Sequence, residues 1–361
     1  MLREFLRASA VGAFRAAARV TGRRGFAALL RGATRKDPAF FAGALRTSIE
    51  SLDADGQDAA LPEEIDPAGL VTRLRRASHR PDAPFFPHLV HAEIAAVCAA
   101  HGHRPRRVLE IGPGASVGTA ACFLAAGAES AAAVDVEPLR GDRAELHLQL
   151  GRYLAVAGGP GWWRYASTAD DANRRVAYPL SRDAVDFDAL ARRVDYRAPH
   201  AAHALPFADG ELDLVYSTAA LEHVDRPRET VAEIFRVLAP GGLAVHEIDL
   251  RRHGTTGDLL ALLRWTDEEW SARTQKYGGG HGIEGILDGS WKGEPYCNRL
   301  RESDWRAEFA RAGFDVLAIE RLCVLDAAAV DPARFAEPWR SRPVDDLRPL
   351  IVRIAARRPV A

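Results

Sequence analysis

Short apolar runs and helical periodicities alternate through the middle and end of the chain. Val108 to Ile111 predicts a strand that enters Gly112-Pro113-Gly114. Thr119 to Ala126 is small and apolar and predicts a helix ended by Gly127. Ala131 to Asp135 and Leu212 to Ser217 predict two further strands. Val231, Ile234, Phe235 and Leu238 recur at i, i+3, i+4, i+7 and predict a helix over 228–238. Ala239-Pro240-Gly241-Gly242 breaks it before a strand from Leu243 to Ile248. A helix over 304–312 has Ser303 as candidate cap, Trp305 and Phe309 on one face and Gly313 at its end. Phe314 to Val324 and Leu350 to Ala355 predict the last strands. Strands alternating with helices argue for an α/β fold with a mostly parallel sheet covered on both faces.

Three stretches do not fit the alternation: 1–100, about 139–198 and 251–302. They divide the chain into a helical N-terminal extension, 1–103, and an α/β domain, 104–361, with insertions at about 139–198 and 251–302. The extension closes with a helix over 88–100, stopped by Gly102, and has a shorter one after Asp66-Pro67 with Leu70, Val71 and Leu74 on one face. Residues 1–36 carry Arg3, Arg7, Arg15, Arg19, Arg23, Arg24, Arg31, Arg35 and Lys36 against Glu4 alone. Phe5, Leu6, Phe14, Phe26 and Leu29 are interleaved. Two readings stay open: a helix lying on an anionic membrane surface, or a helix packed on the domain with its arginines in water.

Composition narrows the function classes. Of 361 residues, 47% are hydrophobic, enough for a large globular core. A net charge of -1 gives no global pull toward nucleic acid. Cys98, Cys122, Cys297 and Cys323 are scattered without a C-x-x-C pair, the usage of a reducing compartment. No apolar run reaches membrane-spanning length and arginines interrupt the N-terminal apolar residues, so the expected location is cytoplasmic, with peripheral membrane contact through residues 1–36 as the variant.

The glycine loop carries the first chemistry. A strand, a glycine loop and a helix N-terminus make a nucleotide cradle. The third glycine, Gly118, falls one residue late for the dinucleotide spacing, and Glu110 at the lip would repel a pyrophosphate. A carboxylate there suits a cation, such as the α-amino group or sulfonium of S-adenosylmethionine. Asp135 ends the next strand about 20 residues on, where this architecture puts an acid on ribose hydroxyls. Glu137 competes for that task. A nicotinamide-dependent oxidoreductase is disfavoured by Glu110 and the spacing.

Val108–Gly118, Ala133-Val134-Asp135, Ala204-Leu205-Pro206-Phe207, Leu212–Ser217, Leu221-Glu222-His223-Val224 and Arg236–Gly242 stand in the order of class I S-adenosylmethionine-dependent methyltransferases. Over about 104–250 the chain resembles their type 11 subgroup. The resemblance implies a Rossmann-like seven-stranded sheet whose last strand is antiparallel. It implies that Glu110, Gly112, Pro113 and Gly114 line the methionine end of the cofactor and that Asp135 and Val136 hold the ribose side. The backbone around His203, Ala204 and Leu205 would lie beside the adenine, with Ser217 completing the set. One departure stands out: Pro199-His200-Ala201-Ala202-His203 lacks the acid that usually precedes the Leu-Pro-Phe unit and contacts the adenine amino group.

The acceptor side is expected after strand five, in His246-Glu247-Ile248-Asp249-Leu250-Arg251-Arg252-His253, at the carboxyl end of a central strand. Methyl transfer to oxygen requires removal of the hydroxyl proton, and a neutral imidazole suits that task. His246 or His253 is the candidate base, with Asp249 orienting the ring; His223 faces the same cleft by family resemblance. The alternatives are a hydrogen-bonded core histidine at His246 and a loop cap at Asp249. A divalent metal on His246, Asp249 and His253 is the minority reading, so no metal is assigned. Trp265, Trp270, Tyr277, Trp291 and Tyr296 around Gly278-Gly279-Gly280 read either as a lid over the acceptor or as the aromatic core of a small helical subdomain. The expectation is O-methylation of a saccharide or other small-molecule acceptor. The rivals are C- or N-methylation of a lipid-like or quinone-type acceptor, and a catalytically silent protein on this fold.

Overall fold

The computed structural model describes residues 86–114, 116–138, 187–253, 258–275 and 294–360. The basic segment 1–36, the short helix after Asp66, most of the 139–198 stretch and the triple glycine at 278–280 lie outside the described residues. The chain divides into two compact units, one of Met1–Leu89 with Asp142–Ala189, the other of Val90–Gly141 with Leu190–Ala361. The described residues belong almost entirely to the second, and the sheet is its framework.

Helix α1 (Phe86–Ala100) precedes β1 (Arg107–Ile111), α2 (Gly118–Ala126) and β2 (Ser130–Val134). Then come α3 (Phe187–Ala191), β3 (Asp195–Arg197), β4 (Leu212–Thr218), α4 (Pro227–Val237) and β5 (Leu238–Asp249). The chain closes with α5 (Asp267–Arg273), α6 (Glu302–Arg311), β6 (Asp315–Val324), α7 (Val344–Leu347) and β7 (Pro349–Arg357). The seven strands lie in the order β3-β2-β1-β4-β5-β7-β6. The first five run parallel, and β7 is antiparallel to both β5 and β6.

The strand order places function. Reversal of direction on the two sides of β1 creates a switch point at the carboxyl edge between β1 and β4, where open α/β sheets bind ligands. The central strands are buried on both faces, so Leu109, Leu214, Val215, Ala244 and Val245 form continuous apolar runs. Asp213 fixes the opposite edge. Its carboxylate accepts from the backbone N–H of Arg106 at 2.9 Å and of Arg107 at 3.0 Å, and the His103 ring together with these donors holds it below the ordinary carboxylate range despite burial.

Two local expectations are corrected, and one strand lies where the sequence predicted none. Ala239–Gly242 does not separate helix from strand. β5 already begins at Leu238, opposite Leu212, and the register shifts before Leu214 pairs with Leu243. Ser303 does not cap α6. It bonds Asp346 through its hydroxyl, at 2.8 Å, while Asp304 accepts from the Arg301 backbone N–H at 2.9 Å. β3 is an edge strand of only Asp195, Tyr196 and Arg197, too short and polar to show as a pattern.

Trp265 and Trp270 stack at 5.7 Å between ring centroids. Trp270 lies in an apolar cluster with Leu262, Leu263, Cys297, Phe335 and Trp339. The described part of the 251–302 stretch thus shares its apolar cluster with residues from 330 to 350.

Candidate active site

The glycine loop turns through two left-handed residues, Gly112 at φ 69° and Gly114 at φ 63°, a region where a Cβ is strained. Gly112 has a second reason. A Cβ there would stand 2.7 Å from Ala220 Cβ, on the segment following β4. The space expected for a ligand at Gly112 is therefore filled by Ala220. The close approach seats the two loops at the switch point against each other.

Glu110 ends up beside Tyr216, its partner across the β1–β4 pairing. It is 5% exposed, and its Oε2 has no hydrogen-bond partner. Burial pushes the carboxyl up to about 8, against the pull of the Tyr216 hydroxyl and of the Ala120 backbone N–H at the start of α2. Such a group favours a cation brought next to it.

Asp135 follows β2 directly. Its Oδ2 accepts from the Gly114 N–H at 3.3 Å and its Oδ1 from the Glu137 N–H at 3.1 Å. Burial raises its carboxyl above the ordinary value, and these donors oppose the rise. Glu137, the competitor, contributes backbone to this arrangement. Among the described residues, Val136 is one of the few large apolar side chains left exposed, at 38%. Pro113 and His203 are half-buried and Ala204 is exposed. Leu205 is buried, its N–H bonded to Glu233 at 2.9 Å and its carbonyl to Arg236 at 3.0 Å. Glu233 and Arg236 on α4 thereby lock the loop expected beside the adenine. This pair went unnoticed in the sequence, since an i,i+3 ion pair on a helix usually marks a solvated face.

The candidate histidines separate into two groups. His246 has no exposed surface. Its Nδ1 meets Ser217 Oγ at 2.8 Å, and its ring packs on Phe309 of α6 at 5.8 Å. Burial pushes it down to about 3, so the ring is neutral. Ser217 is likewise fully buried. The pair has the geometry of a hydrogen-bonded core contact, the alternative open for His246 from the sequence.

The second group lies past the carboxyl ends of β4 and β5. His223 ends the short turn Leu221–His223, and its ring meets that of His253 edge-on at 4.8 Å. Asp249 Oδ2 is 3.5 Å from His253 Nε2 and 2.6 Å from the Arg251 guanidinium. These neighbours hold Asp249 far below the ordinary carboxylate range against the effect of burial. Burial also lowers His223 to about 3, with the charge of His253 adding to the effect. Glu222, its Oε1 3.9 Å from a ring nitrogen of each histidine, is raised well above its ordinary value by burial and by the charge of Asp249. Cys297 completes the surroundings, its Sγ 3.9 Å from His223 Nδ1. The sequence singled out His223, Asp249 and His253 but not Cys297, which joins from a segment 74 residues away from His223.

Residues 154–246 match the family model of the methyltransferase domain, type 11. Over those residues the chain is similar to that domain. The match ends at His246 and leaves the glycine loop outside it. An uncharacterized methyltransferase of Mycolicibacterium gilvum is 40% identical over 96 residues, 26% of this chain and 36% of that protein. One of Mycolicibacterium vanbaalenii is 39% identical over 93 residues, again 26% and 36%. The chain thus spans little more than a third of the curated relatives it matches. Among solved structures, a geranyl diphosphate C-methyltransferase of Streptomyces coelicolor, in complex with Mg2+, geranyl diphosphate and S-adenosyl-L-homocysteine, is 13% identical with a TM-score of 0.36, over 74% of this chain and 77% of that one. A sarcosine dimethylglycine methyltransferase from Galdieria sulphuraria is 14% identical with a TM-score of 0.37, over 75% and 85%. Among the described residues, no helix is long and apolar enough to cross a membrane.

Proposed function

We propose that this protein is an S-adenosylmethionine-dependent methyltransferase that methylates a hydroxyl of a small-molecule or glycan acceptor. The observation that carries the cofactor reading is the buried Glu110 carboxyl, whose Oε2 has no hydrogen-bond partner, beside a loop that Asp135 fastens at Gly114. A buried carboxyl with one open oxygen at the lip of a cradle fits a ligand bearing an ammonium and a sulfonium, whose positive charge favours the ionised form. Asp135 keeps acceptor capacity for ribose hydroxyls beyond its two backbone bonds. Val136, exposed beside it, offers an apolar surface to the flat base.

The acceptor would sit over the second histidine group. The oxygen attacks the sulfonium methyl in line; the C–O bond forms as the C–S bond breaks, leaving S-adenosylhomocysteine and a proton from the hydroxyl. His253 is the better candidate to receive that proton, being partly exposed and oriented by Asp249, whereas His246 is enclosed. Positioning the acceptor supplies the remainder of the rate.

Calorimetry with S-adenosylmethionine and S-adenosylhomocysteine tests the cofactor reading, and the failure of both to bind would overturn it. Mass spectrometry of products from saccharide and quinone-type acceptor panels tests the oxygen assignment; transfer to carbon or nitrogen alone would replace it.

A further inference from the structure

Five polar side chains from three chain segments converge past β4 and β5: Glu222, His223, Asp249, His253 and Cys297. Their chemistry is unbalanced. Glu222 is 2% exposed, and neither carboxylate oxygen has a hydrogen-bond partner. Only the backbone N–H groups of Glu222 and Asp249 bear on it, and a buried carboxylate with no cation beside it is costly and calls for a positive partner. Its Oε1 is 3.9 Å from His223 Nε2 and 3.9 Å from His253 Nε2.

The tautomer of His223 follows from its neighbour. Its Nδ1 lies 2.6 Å from the Tyr296 carbonyl oxygen. A carbonyl only accepts, so Nδ1 carries the hydrogen and the neutral ring presents the Nε2 lone pair toward Glu222. Imidazoles that bind metals are held in this way, with the other N–H given to a backbone carbonyl. His253 Nε2 is also buried without a hydrogen-bond partner, beside the Asp249 carboxylate. One donor atom from each of His223, His253 and Cys297 lies within 4.8 Å of the others. Asp249 is already engaged by Arg251, whose guanidinium donates to its Oδ2 at 2.6 Å.

We propose that this cluster is a site for one divalent transition-metal ion of the zinc type, bound by His223, His253, Cys297 and the Glu222 carboxylate. Two imidazoles, a thiolate and one carboxylate form a borderline-soft donor set that favours zinc or cobalt over magnesium or calcium. Metal–ligand lengths of about 2.0–2.3 Å in a tetrahedral site put neighbouring donors roughly 3.3–3.8 Å apart. The observed spacings are somewhat wider, so the side chains close on the ion as it binds. An ion here gives the buried Glu222 its missing partner and ties the turn after β4, the segment after β5 and the 294–298 segment together. It would also lower the pKa of a hydroxyl that reached it; His253 is then a ligand, and its part in proton removal passes to the ion. The inference takes only its location from the methyltransferase reading, because the ion needs neither cofactor nor acceptor to bind.

The test uses the full chain, stripped with chelator and titrated with Co2+ in spectroscopy and with Zn2+ in calorimetry. The expected result is one equivalent bound, with tetrahedral cobalt bands in the visible and a thiolate-to-cobalt charge-transfer band in the near ultraviolet. C297S should lose the charge-transfer band. H253A and the isosteric E222Q should each weaken Zn2+ binding at least about tenfold, with melting curves confirming that both are folded. Absence of stoichiometric binding, binding without the charge-transfer band, or unchanged affinity in H253A would each overturn the site. Cofactor calorimetry is independent of all these readouts, so failure of the metal site and failure of the methyltransferase reading are separate results.

Discussion

The Gly114 N–H donates to Asp135 Oδ2 at 3.3 Å, across 21 residues of sequence. The bond joins the loop after β1 to the end of β2 and gives Asp135 two tasks, loop fastener and candidate ribose ligand. Asp135→Ala should therefore lower cofactor affinity by about 1–3 kcal/mol through lost charge-assisted hydrogen bonds. Asp135→Asn keeps an oxygen for the Gly114 N–H and should lose less. Calorimetry on both variants checks this; equal affinity in Asp135→Ala and the unchanged protein would remove Asp135 from the site.

Gly112 gives a prediction about packing. An alanine there meets Ala220 Cβ at 2.7 Å and must also hold a positive φ. Both partners are carried directly on backbone, so no rotamer relieves the contact. Gly112→Ala should destabilise the protein by about 1–3 kcal/mol. Chemical denaturation measures it, and Gly112→Ala/Ala220→Gly should recover the part due to the clash.

These two relationships mark what was legible in the sequence. Gly112, Gly114 and Asp135 stand out because a tight turn and a strand-end acid are local demands, readable within a few residues. The strands along the chain showed in the same local patterns, whereas the seven-stranded sheet with its antiparallel last strand was implied by the family resemblance. β3 was not legible, because Asp195, Tyr196 and Arg197 carry no apolar period and pair only through their backbone with β2. Nor was the enclosure of His246 visible: alternation along β5 puts it on a face, but only the arrival of Phe309 from α6 closes that face. Cys297 approaches His223 by way of tertiary packing that no spacing encodes.

Glu110 sets a pH dependence. Its carboxyl titrates at about 8 in the folded protein, above its ordinary value of 4.5. A cationic ligand needs the ionised form, so cofactor affinity should rise as pH climbs through 8 and fall below it. The folded state holds this proton more tightly than the unfolded state, so the contribution of Glu110 to stability declines as pH rises from 4.5 to 8. Glu110→Gln should bind the cofactor more weakly, with a flatter pH profile, yet melt no lower than the unchanged protein above pH 8. Calorimetry and melting curves across the pH range check both halves.

The basic segment 1–36 yields a separate proposal of weak attachment to anionic membranes. Flotation on anionic liposomes should decrease with salt and with removal of residues 1–36. Equal flotation of the full and shortened chains leaves the packed-helix reading.

The two histidines predict opposite phenotypes. His246 is enclosed against Phe309 and bonded to Ser217 at 2.8 Å. His246→Ala removes a packed ring and strands the Ser217 hydroxyl, which should cost about 2–4 kcal/mol of stability. The fraction that remains folded should bind cofactor and turn over at close to the original rate. His253 is partly exposed and faces Asp249 at 3.5 Å. His253→Ala should fold and bind cofactor but lose about 10²–10⁴-fold in methyl transfer, the range for a positioned group that handles the acceptor proton. Single-turnover rates normalised to bound cofactor separate loss of chemistry from loss of fold. A folded, cofactor-binding His246→Ala with the rate collapsed, beside a fully active His253→Ala, would move the chemistry back to β5 and require the ring of His246 to become accessible when the acceptor binds.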